Sequence, residues 1–246
     1  MFNFFNRKVF LADYLHGLVD IHNHILPGID DGAKTVDESL SLIKAFAAYG
    51  VTNFVFTPHI MNHYYPNTPD SINTSFELLQ SELEQQDVEN VKIDYAAEHM
   101  IDDEFEPLLE NNGVVPLKTE HLLVEMSYLQ PAFGFDNAVK KIFEQKYFPI
   151  LAHPERYSYF HQQPQIYSEL KSNGVQLQLN LLSVSGYYGS EIQRVALKLL
   201  EDELYDYCAS DAHHIRHITA LKEINVSQKV LGKILPVIEN TIQTFY

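Results

Sequence analysis

The sequence predicts an α/β fold in which βα units repeat and the strands close into a barrel. Three observations carry this. Seven β-rich runs recur at steps of roughly 27–40 residues, the rhythm of repeated βα units. Amphipathic stretches of helical period lie between them. Six of the seven runs end in His, Asp or Glu. An open doubly wound sheet would gather its site at one crevice, whereas a barrel draws it from many strand ends.

The elements follow in order. Residues 1–17 are aromatic-rich and read as an N-terminal extension strapped onto a single domain of residues 18–246. Leu18–His22 is the first strand. Thr35–Tyr49 is a helix, opening on the capping-box pattern Thr35-Val36-Asp37-Glu38 and stopping before Gly50. Asn53–Thr57 is the second strand, and Ser71–Gln86 a helix with Phe76, Leu79 and Leu83 at helical spacing. The strand runs Lys92–Ala97, Leu122–Met126, Pro149–Ala152, Gln176–Leu181 and Tyr205–Ala209 complete the seven. Helices are expected over Asn137–Gln145, Pro164–Ser172, Glu191–Glu203 and Ser227–Phe245. No low-complexity stretch or linker divides the chain.

Composition narrows the function. The 246 residues hold 17 Lys+Arg and 33 Asp+Glu, a net charge of −16, which opposes binding to nucleic acid. One cysteine, Cys208, excludes a disulfide framework and a Cys-rich zinc site. No apolar stretch approaches the roughly 20 residues of a membrane span, and Asn3, Asn6, Arg7 and Lys8 interrupt any signal-peptide run. The expectation is a cytoplasmic protein with no transmembrane segment.

A lone His or Glu after a strand is ordinarily a solvated loop residue, so the chemistry rests on the set. Period two puts His22 and His24 on one face. His59, Glu98, Glu125, His153, Asp211 and His213 each follow an apolar run, and Asp30 and Asp31 sit in the loop after the first strand. Carboxylates buried together need a compensating cation. A mixed N/O set without thiolate suits manganese, iron or zinc better than calcium or magnesium. So many donors imply two or three ions, a centre that activates water and clamps both oxygens of an in-line displacement. That chemistry points to phosphoester hydrolysis. Arg156 and Arg216, each three residues past a candidate histidine, are placed to bind phosphate.

These motifs resemble the polymerase-and-histidinol-phosphatase (PHP) superfamily, and more closely its bacterial protein-tyrosine phosphatases of capsule and exopolysaccharide operons, the CpsB/YwqE type. Asp20–Gly32 reads DIHNHILPGIDDG, Thr57-Pro58-His59 reads TPH, Ala152–Tyr157 reads AHPERY and Ser210–His213 reads SDAH. The resemblance runs from about residue 18 to the C-terminus. It implies a distorted (β/α)7 TIM-like barrel and a three-metal centre, often manganese. The ligands it implies are His22, His24, Asp31, His59, Glu98, Glu125, His153, Asp211 and His213, with Asp31 rather than Asp30 matching the second acid of the DDG element. It implies catalytic roles for Arg156, Arg216 and Asp31. The segment His214-Ile215-Arg216-His217 departs from the family pattern, so whether Arg216 replaces the second phosphate arginine is open.

The implied reaction is hydrolysis of phosphotyrosine on a partner protein, the tail of a bacterial tyrosine autokinase, by a metal-bridging hydroxide without a covalent intermediate. Cys208 has no arginine close behind it and reads as a core residue. Tyr64 and Tyr65 could stack on a phosphotyrosine ring or plug their loop, and Tyr157, Tyr159 and Phe160 carry the same two readings. The alternative function is a PHP-type small-molecule phosphatase, such as histidinol-phosphate phosphatase. A homo-oligomer is compatible with the sequence.

Overall fold

The computed structural model describes residues 8–86 and 90–246. Residues 1–7 of the expected strap lie outside the described residues. The rest of that extension is built into the fold. Its strand β1 (Lys8–Phe10) pairs antiparallel with β11 (Asn225–Ser227), and Leu11 and Leu15 are buried in the core.

The repeated units begin with β2 (Val19–Asp20) and α1 (Val36–Ala47). Next come β3 (Asn53–Phe56), β4 (His59–Ile60), α2 (Pro69–Gln85), β5 (Lys92–Tyr95), β6 (Glu98–Met100) and α3 (Phe105–Glu110). Then follow β7 (His121–Glu125), α4 (Phe135–Glu144), β8 (Phe148–Ala152), α5 (Gln165–Ser172), β9 (Gln176–Asn180) and α6 (Ser190–Glu201). The chain ends with β10 (Tyr207–Ala209), α7 (Ile215–Lys222), β11 and α8 (Gln228–Phe245).

Two parallel sheets, β2-β3-β5 and β4-β6-β7-β8-β9-β10, form one wall. The second and third expected strands form as β3 and β5, and each resumes two residues later, beyond its expected end, as β4 and β6. Pro58 has no amide to donate to the ladder there. Hydrogen bonds still cross these interruptions: the Ala96 amide donates to the Phe56 carbonyl at 2.8 Å, and the Glu98 amide to the Pro58 carbonyl at 3.0 Å. The far edges meet where Asn23 bridges Ala212 in parallel. There the His24 amide donates to the Ala212 carbonyl at 2.9 Å and the Asp211 amide to the His22 carbonyl at 2.8 Å. Among the described residues the ring is a distorted seven-stranded parallel barrel, with β3–β4 and β5–β6 each counted once.

An inner apolar cluster that includes Val19, Ile21, Val55, Leu123 and Ile150 fills the barrel. Phe245, near the end of α8, packs against Tyr207 and His121, which start β10 and β7, and so closes the N-terminal end. A larger cluster joins the outer strand faces to the helices. In α1, Leu40, Ile43 and Phe46 bury the face that meets the wall, Phe46 lying edge-on to Phe54. Phe46→Ala there should cost about 3–5 kcal/mol. With the bottom filled by side chains, polar groups can converge only at the C-terminal ends of the strands.

Local signals explain most helix starts. Thr35 caps α1 by accepting from the Glu38 amide. Helix α2 starts earlier than Ser71, because Thr68 and Ser71 form a reciprocal capping box and Pro69 takes the first turn. Helices α3 and α7 were not expected from the sequence. They are short, and their N-caps, Glu104 and His214, make no side-chain cap bond that would announce them.

Candidate metal centre

The strand ends deliver all nine expected donors to one place. His22 and His24 follow β2, His59 opens β4, Glu98 opens β6 and Glu125 ends β7. His153 follows β8, Asp211 and His213 follow β10, and Asp31 comes from the loop after β2. Their side-chain atoms form four overlapping groups whose members lie within 4.8 Å of one another. These are His24-Asp31-His59-His213, His22-His24-Asp211, His22-Glu98-His153 and His59-Glu98-Glu125.

Glu98 is the hub. Its Oε2 lies 3.2 Å from His22 Nε2, 3.0 Å from His59 Nδ1 and 3.5 Å from His24 Nε2, and its Oε1 lies 3.2 Å from His153 Nε2. Asp211 Oδ1 is 3.4 Å from both His22 Nε2 and His24 Nε2. Glu125 Oε1 is 2.8 Å from His59 Nδ1. Asp31, the most exposed of the nine, reaches His59 and His213 from the mouth.

Neighbouring oxygens decide which imidazole nitrogen faces the centre. The His24 Nδ1–H donates to Asp30 Oδ2 at 2.8 Å, and the His213 Nδ1–H to the Asp211 carbonyl at 3.0 Å. The His22 Nδ1–H donates to Gln178 Oε1 at 2.9 Å, while the other end of that amide is anchored to the Leu179 carbonyl. In all three rings this turns Nε2 toward the centre, the nitrogen that would bind a metal once any proton on it is displaced. Asp30 is therefore an orienting group, also accepting from the Gly32 and His59 amides. Gly32 has a steric reason: a Cβ there would fall 1.9 Å from the His24 carbonyl oxygen.

The backbone is strained where two donors sit. His153 and Asp211 both adopt left-handed φ, 35° and 51°. Such conformations cost on the order of 1–3 kcal/mol each. At Asp211 the local backbone is held by Asp20, whose carboxylate accepts from the Ser210 amide at 2.8 Å and hydroxyl at 2.6 Å. Burial pushes the Asp20 carboxyl up to about 6, against those two bonds.

The electrostatics fit a cationic group. Burial drives Glu98 and Asp211 up, yet His22 and His59 beside Glu98, and His22 and His24 beside Asp211, hold both well below the usual carboxylate range. Burial drives His24 and His59 down, yet Asp30 beside the first and Glu125 and Glu98 beside the second hold them well above. Buried Glu98 Oε2, Glu125 Oε1 and His59 Nδ1 approach one another closely but without hydrogen-bond geometry, so none is satisfied. Four carboxylates at −1 each give −4, which two divalent ions at +2 each would offset. The donor chemistry and the orphaned atoms suit a cluster of divalent metals.

Arg156 lies at the edge of this floor. Its guanidinium donates to Asp211 Oδ2 at 2.6 Å and sits over the Tyr128 and Tyr188 rings, 4.8 and 4.2 Å from their centroids. It lines a cavity of 730 Å³ together with seven of the nine donors, His22 and His24 lying beneath its surface. Arg216 is exposed on the first turn of α7 and does not line that cavity. Tyr65 stacks on His59, 5.4 Å between ring centroids, while Tyr64 is exposed at the mouth. Tyr157 and Phe160 are buried in the core. The Tyr157 hydroxyl accepts from the Met126 amide, and the Tyr159 hydroxyl donates to the Ser127 carbonyl. Cys208 is buried in β10 with its thiol pushed up to about 12 by burial.

Sequence reasoning assigned nothing to the sixth strand. The structure gives it two orienting side chains, Gln178 on His22 and Asn180, whose Nδ2 donates to Asp211 Oδ2 at 2.9 Å. The alternation Gln176-Leu177-Gln178-Leu179-Asn180 in a strand that must be buried was the available signal.

Similar proteins share this architecture. The family profile described as "Capsular polysaccharide synthesis, CpsB/CapC" matches residues 18–232. Tyrosine-protein phosphatase YwqE of Bacillus subtilis is 28% identical over 222 residues, covering 89% of this chain and 87% of its own. Tyrosine-protein phosphatase CpsB of Streptococcus agalactiae is 28% identical over 204 residues, 80% of this chain and 84% of its own. A solved structure from work on YwqE of Bacillus subtilis and CpsB of Streptococcus pneumoniae, described as metal-dependent tyrosine phosphatases, superposes with a TM-score of 0.80 at 26% identity, covering 91% of this chain and 92% of that one. A lactonase from Listeria monocytogenes matches in fold alone, with a TM-score of 0.53 at 12% identity, over 98% of this chain and 96% of its own.

Proposed function

The chain belongs to the CpsB/CapC family of capsular polysaccharide synthesis, and from that premise we propose that it is a metal-dependent protein-tyrosine phosphatase. The observation that carries the proposal is the convergence of nine N/O donors, with buried unsatisfied carboxylate oxygens, beside one aromatic-clamped arginine. The ligand set is His22, His24, Asp31, His59, Glu98, Glu125, His153, Asp211 and His213. It holds two or three divalent ions, manganese first and iron or zinc as alternatives. The catalytic domain spans residues 18–246, with 1–17 as an extension.

Bound divalent ions would polarise phosphoryl oxygens and supply an acidified water for in-line attack. The chain's own residues do the rest. Arg156 binds a phosphoryl oxygen, and its stacking on Tyr128 and Tyr188 keeps the fork in place. Gln178, Asp30 and the Asp211 carbonyl orient the imidazoles. Asp31 stays a carboxylate at the mouth, because His213 and His59 outweigh its partial burial and hold it far below the usual range. No thiol takes part: Cys208 is buried and protonated.

The substrate is a phosphotyrosine-bearing protein, the tail of a tyrosine autokinase in capsule or exopolysaccharide synthesis. The site of action is the cytoplasm, in keeping with the absence, among the described residues, of a helix long and apolar enough to cross a membrane. The test is metal analysis of the purified protein, with turnover of a phosphotyrosyl peptide and of histidinol phosphate measured with manganese added back. Preferred turnover of the peptide, lost on chelation, is expected. Preference for histidinol phosphate, or full activity in the metal-stripped protein, would sink the proposal.

A further inference from the structure

The candidate metal floor and an exposed apolar rim belong to one cavity. The rim comes from two loops. Tyr64, after β4, is 76% exposed. Leu129, after β7, is 92% exposed, and Phe133, in the same loop, is fully exposed. Neither Leu129 nor Phe133 belongs to the hydrophobic clusters among the described residues. One exposed apolar side chain needs no explanation, but three around the mouth of a polar site mark a contact surface.

The occupant follows from continuity with the floor. A phosphoryl group held by Arg156 and the donors places the rest of its carrier across this rim. The lining is otherwise acidic there: Asp102 and Asp103 share the cavity, and Arg156 is its only Lys or Arg. With Arg156 engaged by phosphate, no other Lys or Arg among the described lining residues is left to receive an acidic neighbour.

We propose that Tyr64, Leu129 and Phe133 form a subsite for the residues flanking phosphotyrosine in a protein substrate, favouring apolar neighbours over acidic ones. The proposal rests on the phosphatase reading above and adds the substrate's sequence preference. A small phosphomonoester carries no flanking residues to occupy the rim.

The test compares three substrates: a phosphotyrosyl peptide with leucine on both sides, the same peptide with glutamate there, and p-nitrophenyl phosphate. The unaltered protein should favour the leucine peptide in kcat/KM by about 10-fold or more, the ratio that about 1.4 kcal/mol of apolar contact gives. The double variant Leu129→Ser/Phe133→Ser should lose that preference through KM and keep its turnover of p-nitrophenyl phosphate. Equal use of the two peptides, or an equal fall on peptide and p-nitrophenyl phosphate, would overturn the subsite while leaving the phosphatase reading intact. No hydrolysis of any of the three by the unaltered, manganese-loaded protein would remove that reading and the subsite with it. Both side chains are solvent-exposed, so the variant should fold, which its melting temperature checks.

Discussion

Replacing Gln178 by leucine tests whether the sixth strand orients the metal centre. The change keeps the approximate volume of a fully buried side chain and removes the acceptor 2.9 Å from His22 Nδ1. The His22 Nδ1–H is then buried without a partner, and its ring is free to turn or change tautomer. A buried donor left unsatisfied costs about 1–3 kcal/mol. If that cost falls on the metal-bound state, affinity drops by a factor of roughly 5–150. Loss of an outer hydrogen-bond partner of a metal ligand ordinarily costs about 10–100-fold, the same range. The assay is calorimetric titration of manganese into metal-stripped protein, read beside kcat/KM on a phosphotyrosyl peptide. Gln178→Glu retains an acceptor oxygen and should recover most of the affinity. Wild-type metal affinity in Gln178→Leu, with an unchanged melting temperature, would refute the reasoning. So would equal losses in both variants.

Further expected outcomes concern the metal, the thiol and the two arginines. Chelation should lower the melting temperature by roughly 8–16 °C, since saturating ligand at about 1,000 times Kd contributes about 4 kcal/mol and each kcal/mol moves a chain of this size by about 2–4 °C; scanning fluorimetry showing no shift would contradict a metal cluster in the folded protein. Cys208→Ser should retain most activity, and the native thiol, buried and pushed up to about 12, should resist alkylation at neutral pH until the protein unfolds; rapid labelling of the folded protein, followed by mass spectrometry, would count against this. Arg156→Lys should lower kcat/KM by at least about 100-fold, the scale of losing an electrostatic donor to the reacting group. Arg216→Ala, exposed and outside the cavity, should change it little, and the reverse order would exchange their roles.

The convergence of the candidate donors was legible because they are local to short motifs. His22 and His24 are two residues apart on one extended segment, and His59, Glu98, Glu125, His153 and Asp211 each follow an apolar run. An apolar strand that runs into a polar residue must aim that residue somewhere, and in a parallel barrel every strand aims at the same end. The choice between Asp30 and Asp31 was harder, since they are adjacent and identical in type. It turns on direction: Asp30 faces inward to His24 Nδ1, while Asp31 faces the mouth toward His59 and His213. The two phosphate-arginine candidates also looked alike, each three residues past a histidine. Arg156 lies in a tight 3-10 turn that returns it to the floor, whereas Arg216 is carried outward on the unforeseen helix α7.

The sequence by itself determined the alternation of strand and helix, the donor types, and hence the class of metal chemistry. Each of these is a property of a few neighbouring residues. Only the tertiary structure decided how the ring closes and how the donors are held. Asn23 meets Ala212, Asp20 holds Ser210, and His22 finds Gln178, partners separated by 189, 190 and 156 residues. Such pairs leave no periodic trace, because their energy comes from burying one polar group beside another that happens to complete it.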